Sequence, residues 1–161
     1  MGECLAIDPG TRESAYVWLL DGNVVDHGKV PNRAMLNIVY ELTKKQPSLP
    51  IVCEMIASYG SSVGSETFET CVWIGRYLQA CAVEANFHRV TRVQVKVHHC
   101  HRANKVTDSV IRQAMIDRYG GNKDVAIGVA KKPGPLFGLK GDEWAALAVG
   151  LAWLDTGGKF E

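Results

Sequence analysis

Apolar and polar positions change rhythm along the chain in a way that predicts its elements. Residues 4–7 are a short apolar run that ends at Asp8-Pro9-Gly10, a turn sequence. A second run over 16–20 leads into Asp21-Gly22, a hairpin signal, and then Val24-Val25 and on to Val30. These segments predict a three-stranded antiparallel meander. Asn32 is the expected N-cap of a helix carrying Met35, Ile38, Val39 and Leu42 at helical spacing, which Pro47 and Pro50 end. Residues 50–53 read as a buried strand that stops at Glu54. A Gly/Ser-rich loop over 59–65 opens a long helix to about residue 85, with Phe68, Val72, Gly75 and Ala82 on one face and Leu78 near its edge. Residues 90–97 alternate apolar with polar, which predicts a strand, and 98–104 read as a loop. Thr107 or Asn104 caps a helix with Val110, Ile111, Ala114 and Met115 inward, stopped at Gly120-Gly121. A loop over 131–141 precedes a final helix, 142–154, apolar on nearly every face and so largely buried.

The order is βββαβαβαα. Strands alternating with helices after a meander predict an α/β domain with a mixed sheet. One domain over 1–156 with a short tail, 157–161, fits the length of 161 residues. An apolar fraction of 47% supplies a core, which excludes a disordered linker. No apolar run reaches the roughly 18 residues that a membrane helix needs, so no membrane partner is expected. MGECLAIDPG lacks the basic n-region of a secretory signal. Five cysteines without a C-x-x-C pair read as reduced thiols, which places the protein in a cytoplasmic compartment.

The net charge of +1 hides a segregation. Residues 1–87 carry a net −4, residues 88–132 a net +7, and residues 133–161 a net −2. Four of the five histidines lie in the basic segment. Such a stripe beside acidic flanks suits a phosphate-bearing partner, although charges spread over solvated faces would give the same totals.

Three acidic positions adjoin apolar runs: Asp8 ends the first strand, Glu54 ends a buried strand, and Asp142-Glu143 open the last helix. Singly, each has an ordinary role as a turn former, a strand stop or a helix-start residue. Together, parallel strands ending at one sheet edge would gather them, and converging carboxylates need a cation. Hard ions such as Mg²⁺ take oxygen ligands of this kind and share phosphate oxygens with a substrate. A pair of such ions can activate water for phosphodiester cleavage.

The arrangement resembles the RuvC-type Holliday junction resolvases of the RNase H-like (retroviral integrase) superfamily. The matching stretches are Leu5-Ala6-Ile7-Asp8-Pro9-Gly10-Thr11, Ile51-Val52-Cys53-Glu54, Val93-Gln94-Val95-Lys96, and Asp142-Glu143-Trp144-Ala145-Ala146-Leu147-Ala148-Val149, with Asn104-Lys105 before the helix over 106–118. The resemblance implies a five-stranded mixed sheet flanked by helices. It also implies a metal-dependent endonuclease that cleaves four-way junctions and other branched DNA, in DNA recombination and repair, leaving 5′-phosphate ends. By it, Asp8, Glu54 and Asp142 are ligands of a two-metal Mg²⁺ site at which Mn²⁺ substitutes. Lys96 and Lys105 match lysines near the scissile phosphate. The family usually carries a second aspartate three residues along the last helix, where this chain has Ala145. Glu143 is the candidate replacement, although it points about 100° round the helix from Asp142.

Lys96, Lys105, Arg92, Arg102, Arg112, Lys131 and Lys132 are candidate phosphate contacts, which position DNA without reading its sequence. Tyr59 either stacks on an unpaired base or packs over its loop. His99 and His101 have a spacing that can bind zinc if the strand continues, but no fourth ligand accompanies them. A histidine acting on a proton or phosphate is the better reading. Trp73, Trp144 and Trp153 fall among apolar neighbours as core or dimer contacts. Two symmetric cuts need two active sites, so a homodimer is expected, with the helix from Ser65 as an isologous interface. Two other classes stay in view: a DNA-binding adaptor with weak or no catalysis, prompted by Ala145, and an RNA-processing nuclease of the same superfamily. Asp-Pro-Gly-Thr also occurs in actin-like ATPases, but that fold needs two such domains, so no nucleotide cofactor is expected.

Overall fold

In the computed structural model, which describes residues 2–60 and 62–160, the meander comprises β1 (Glu3–Asp8), β2 (Glu13–Leu20) and β3 (Asn23–Pro31). Helix α1 (Asn32–Lys45), β4 (Ile51–Met55), α2 (Ser65–Ala80), a 3₁₀ turn (Glu84–Asn86) and β5 (Phe87–Thr91) follow. The remainder is α3 (Arg92–Cys100), α4 (Asp108–Arg118), α5 (Lys123–Ala126), the short pair β6 (Gly128–Val129) and β7 (Lys132–Pro133), and α6 (Glu143–Thr156). The five long strands form one mixed sheet in the order β3-β2-β1-β4-β5, with β1, β4 and β5 parallel.

Both faces of the sheet are covered, which explains why β1 is apolar without alternation. Leu5 and Ile7 pack with Ile51, Cys53 and Phe87 under α1 and α2. Cys4 and Ala6 pack with Val17, Val52 and Val90 under α4 and α6. Helix α6 lies directly on β1 and β2, and all its residues from Ala146 to Ala152 are buried.

The basic segment departs from the sequence expectation. The strand expected over 90–97 ends at Thr91, and α3 begins at Arg92. Thr91 and Gln94 form a reciprocal capping box, in which each side chain meets the other's backbone amide. That cap overrides the period-two pattern. Only Val95 is fully buried, while Val97 faces solvent on the other side of the helix. His98, His99 and Cys100 therefore lie on helix rather than in a loop.

Three further expectations shift. Asn32 is the first residue of α1 and Pro31 holds the cap position. The buried Asn32 side chain accepts a hydrogen bond from the Ser14 hydroxyl (2.7 Å) and donates to the Gly10 carbonyl (2.8 Å). Ser14 has spent its proton, so Tyr77 is the donor at 2.9 Å. This network fastens the turn that follows Asp8. The α2 face of Phe68 and Val72 points to solvent (62% and 54% exposed), while Thr70, Ile74 and Tyr77 turn inward. The 123–133 region contains α5 and the β6–β7 pair, both missing from the sequence reading.

His99 gives a stability prediction. Its Nε2 lies 2.8 Å from the Ala148 carbonyl of α6, and burial lowers its pKa to about 4. Nε2 must carry the proton, because the carbonyl is only an acceptor. The folded pKa lies below the unfolded value, so protonation favours the unfolded chain. Stability is intact above about pH 6.5 and is lost as pH falls towards 4, by at most about 3 kcal/mol. Urea titrations at pH 7.5 and pH 4.5 should show this loss, and His99→Gln should reduce the difference.

Candidate active site

Sheet topology brings the acids together. Strands β1 and β4 run parallel with Ile7 opposite Cys53, so Asp8, the last residue of β1, and Glu54, the penultimate residue of β4, lie side by side at the same edge. Both point away from α1 and α2, because Ile7 and Cys53 take that face. Asp142 holds the cap position of α6. The loop before it is pinned by buried Leu136 and Leu139, and by Trp144, whose indole N–H donates to the Leu139 carbonyl at 3.2 Å.

The electrostatics of this edge are severe. Burial, aided by the charges of Glu54 and Asp142, pushes the Asp8 carboxyl up to about 8. Among the described residues its side chain accepts no hydrogen bond. Glu54 is also raised, mainly by burial, while Arg92 opposes the rise. The Arg92 guanidinium donates to Glu54 at 3.2 Å and pairs with Asp108, the first residue of α4. Lys29, on β3, lies 2.7 Å from Asp142.

Neither Asp108 nor Lys29 stood out in the sequence. Asp108 follows the Thr107 cap in the basic segment, and its charge raises both Asp8 and Glu54. Arg92, expected on DNA, is paired with site carboxylates.

Glu143 has partners of its own. It is 2% exposed, and its Oε2 meets His27 Nδ1 at 2.9 Å and accepts the Lys140 amide at 3.1 Å. Its carboxylate faces β3 rather than Asp8, because one residue on a helix turns the side chain by about 100°.

The basic candidates are dispersed. Lys96 lies on α3 close enough for its charge to lower Glu54. Lys105 and Arg102 are exposed in the α3–α4 loop, Lys105 with a left-handed φ of 58°. Arg112 is engaged over the Trp144 ring at 4.7 Å. Lys131 and Lys132 sit on the exposed β6–β7 turn, and Tyr59 is 66% exposed in the loop after β4. The histidine run does not converge. His98 binds Asp155, His99 binds Ala148, and His101 ends α3 in a left-handed conformation. Trp144 is buried and Trp73 packs by Tyr77, while Trp153 stacks on His88.

Among the described residues, no three Asp, Glu, His or Cys side chains stand ready-made around one metal position. Arg92 holds Glu54, and Lys29 holds Asp142. The donor chemistry nonetheless suits a hard divalent ion: the groups are all carboxylate, and burial together with the Glu54 and Asp142 charges disfavours the ionised form of Asp8, which a cation would stabilise.

Two solved structures are similar to the chain over nearly its whole length. One is Thermus thermophilus RuvC, with 14% identity, a TM-score of 0.68 and 98% of both chains covered. The other is T. thermophilus RuvC in complex with a Holliday junction substrate, with 13% identity, a TM-score of 0.67 and 99% of both chains covered. No protein-family model and no curated protein matches the sequence. At such identity the likeness is one of architecture, and the architecture is the RuvC-type, RNase H-like fold.

Proposed function

We propose that the protein is a divalent-cation-dependent endonuclease that cuts Holliday junctions and other branched DNA. The observation that carries this reading is the gathering of Asp8, Glu54 and Asp142 at one edge of a RuvC-type sheet, close enough that the Glu54 and Asp142 charges add to burial in raising the Asp8 carboxyl. Asp8, Glu54 and Asp142 would hold the cation, Mg²⁺ or Mn²⁺. A bound pair of such ions supplies an activated water and stabilises the departing oxygen. Hydrolysis adds hydroxide to phosphorus and a proton to the leaving 3′ oxygen, which yields a 5′-phosphate and a 3′-hydroxyl. Glu143, spent on His27 and the Lys140 amide, steadies the start of α6 instead of facing the cation.

Lys96, beside Glu54, and Lys105, at the tip of an exposed loop, are the groups for the scissile phosphate. Arg102, Lys131 and Lys132 offer phosphate contacts further out, and Tyr59 offers a stacking surface. One solved T. thermophilus structure of this fold is a complex with a Holliday junction substrate, which favours branched DNA over RNA as the partner. The reading is tested with a panel of four-way junction, linear duplex and RNA–DNA hybrid of equal length. Junction-selective incision supports it. Equal or greater cutting of the hybrid would replace it with an RNA-processing nuclease.

The exposed α2 face suits a homodimer. Phe68 and Val72 stand one helical turn apart on it. Phe68→Asp combined with Val72→Asp should yield a monomer by sedimentation and reduce paired incisions to single nicks. A dimer that persists with paired cutting would place the interface elsewhere.

A further inference from the structure

The segment between α5 and α6 mounts an exposed aromatic side chain on a tightly fastened loop. Ala126, Leu136 and Leu139 are buried in the core. The Gly134 amide donates to the Ile127 carbonyl and the Leu136 amide to the Ala126 carbonyl, both at 2.8 Å. A Cβ at Gly134 would stand 2.3 Å from the Val125 carbonyl oxygen, so only glycine lets the loop close this tightly. Phe137, between the two buried leucines, is 42% exposed. Trp73, Trp144 and Trp153 each have a guanidinium or a second ring against them, whereas among the described residues Phe137 has neither. An outward phenyl ring on a fixed backbone leaves apolar surface in water and needs little ordering when a partner covers it.

The charges around Phe137 select the chemistry of that partner. From Val125 to Gly141 the chain has no acidic residue, and Lys131, Lys132 and Lys140 are all exposed. On the β6–β7 hairpin Lys132 pairs with the exposed Val129, which sets cation and apolar surface side by side. A ring framed by cations and no anion suits nucleic acid, whose bases stack on the ring while its phosphates meet the lysines. The loop also runs towards the acid edge. Gly138 lies beside the His27 ring, His27 binds Glu143, and Lys29, two residues further along β3, binds Asp142. The backbone from Phe137 to Asp142 reaches at most about 18 Å, which is roughly five nucleotide steps along a DNA strand.

We infer that Phe137 recognises the branch: its ring stacks on a base face left open where strands exchange, within about five nucleotides of the cut. This rests on the branched-DNA reading above. A phenyl ring has no hydrogen-bonding group, so it meets the face of any base and reads no sequence. In a continuous duplex those faces are covered by neighbouring base pairs, and a step must be unstacked first, which opposes binding. The ring therefore favours a junction over linear duplex.

The test is binding of a four-way junction and of linear duplex by the full chain in EDTA, with 2-aminopurine placed in turn at the branch and at the nucleotides beside it. Phe137→Ala should weaken junction binding about five- to a hundred-fold and leave duplex binding within about two-fold. It should also remove the fluorescence change that the parent produces at the branch. Phe137→Trp should keep the parent's behaviour. Phe137→Leu keeps an apolar side chain without the ring, so it should lose the junction preference, and it replaces the alanine variant if that one melts early. An unchanged junction preference in Phe137→Ala, an equal loss on both substrates, or a preference that Phe137→Leu retains overturns the inference, while the parent's own preference keeps the branched-DNA reading standing. A parent that binds junction and duplex equally overturns that reading and the inference with it.

Discussion

Asp8→Asn is expected to lower junction cleavage by about a thousand-fold or more while junction binding stays within about two-fold, as suits a group that acts in the reaction and not in uniform binding. The amide keeps the shape of the side chain and removes its charge. Gel-shift and single-turnover assays with the same labelled junction would separate the two effects. A second readout does not depend on DNA. Burial and the neighbouring carboxylates push the Asp8 carboxyl up to about 8 in the fold, far above the ordinary aspartate range. A raised acid pKa means that the unfolded chain loses the proton first, so ionisation opposes folding from about pH 4 upward and the penalty is complete above about pH 8. In EDTA at pH 8.5, Asp8→Asn should therefore melt higher than the parent, by roughly a few kcal/mol of stability. A variant that cuts normally would remove Asp8 from the site.

The second large effect is structural. A Cβ added at Gly150 would stand 2.7 Å from Leu19 Cδ1 and 2.8 Å from the Ala6 methyl. Helix α6 lies against β1 and β2 at this point, and only a residue without a side chain permits that approach. Gly150→Val should cost about 3 kcal/mol by overpacking. For a chain of this length that is a fall in melting temperature of roughly 6–12 °C. Because α6 also carries Asp142, metal affinity should fall with it. Calorimetry checks the first effect and Mn²⁺ titration the second. A melting temperature within a degree or two of the parent would contradict the close packing.

The pattern of residues predicts the sheet well because burial leaves a strong mark. The apolar runs of β1 and β4, each stopped by an acid, place Asp8 and Glu54 correctly without any contact information. Asp142 is likewise legible as the polar start of an apolar helix. The α3 segment misleads because Val93, Val95 and Val97 alternate, while the Thr91–Gln94 capping box that starts the helix is a weaker signal in the sequence. Asp108 and Lys29 could not be read at all. Their significance comes from tertiary placement: α4 against α6, and β3 beside the Asp142 loop. Glu143 shows the reverse, a carboxylate adjacent in sequence that helix geometry directs to His27 on another strand.

The central claim is that the Asp8, Glu54 and Asp142 edge is a divalent-cation centre for cutting branched DNA. Its most direct test is single-turnover incision of a 5′-labelled four-way junction by the wild-type protein in Mg²⁺, in Mn²⁺ and in EDTA. The account predicts paired incisions in either ion, products that a ligase reseals through their 5′-phosphates, and no cutting in EDTA. An intact junction bound by the protein in both ions, or incision that persists in EDTA, would contradict it.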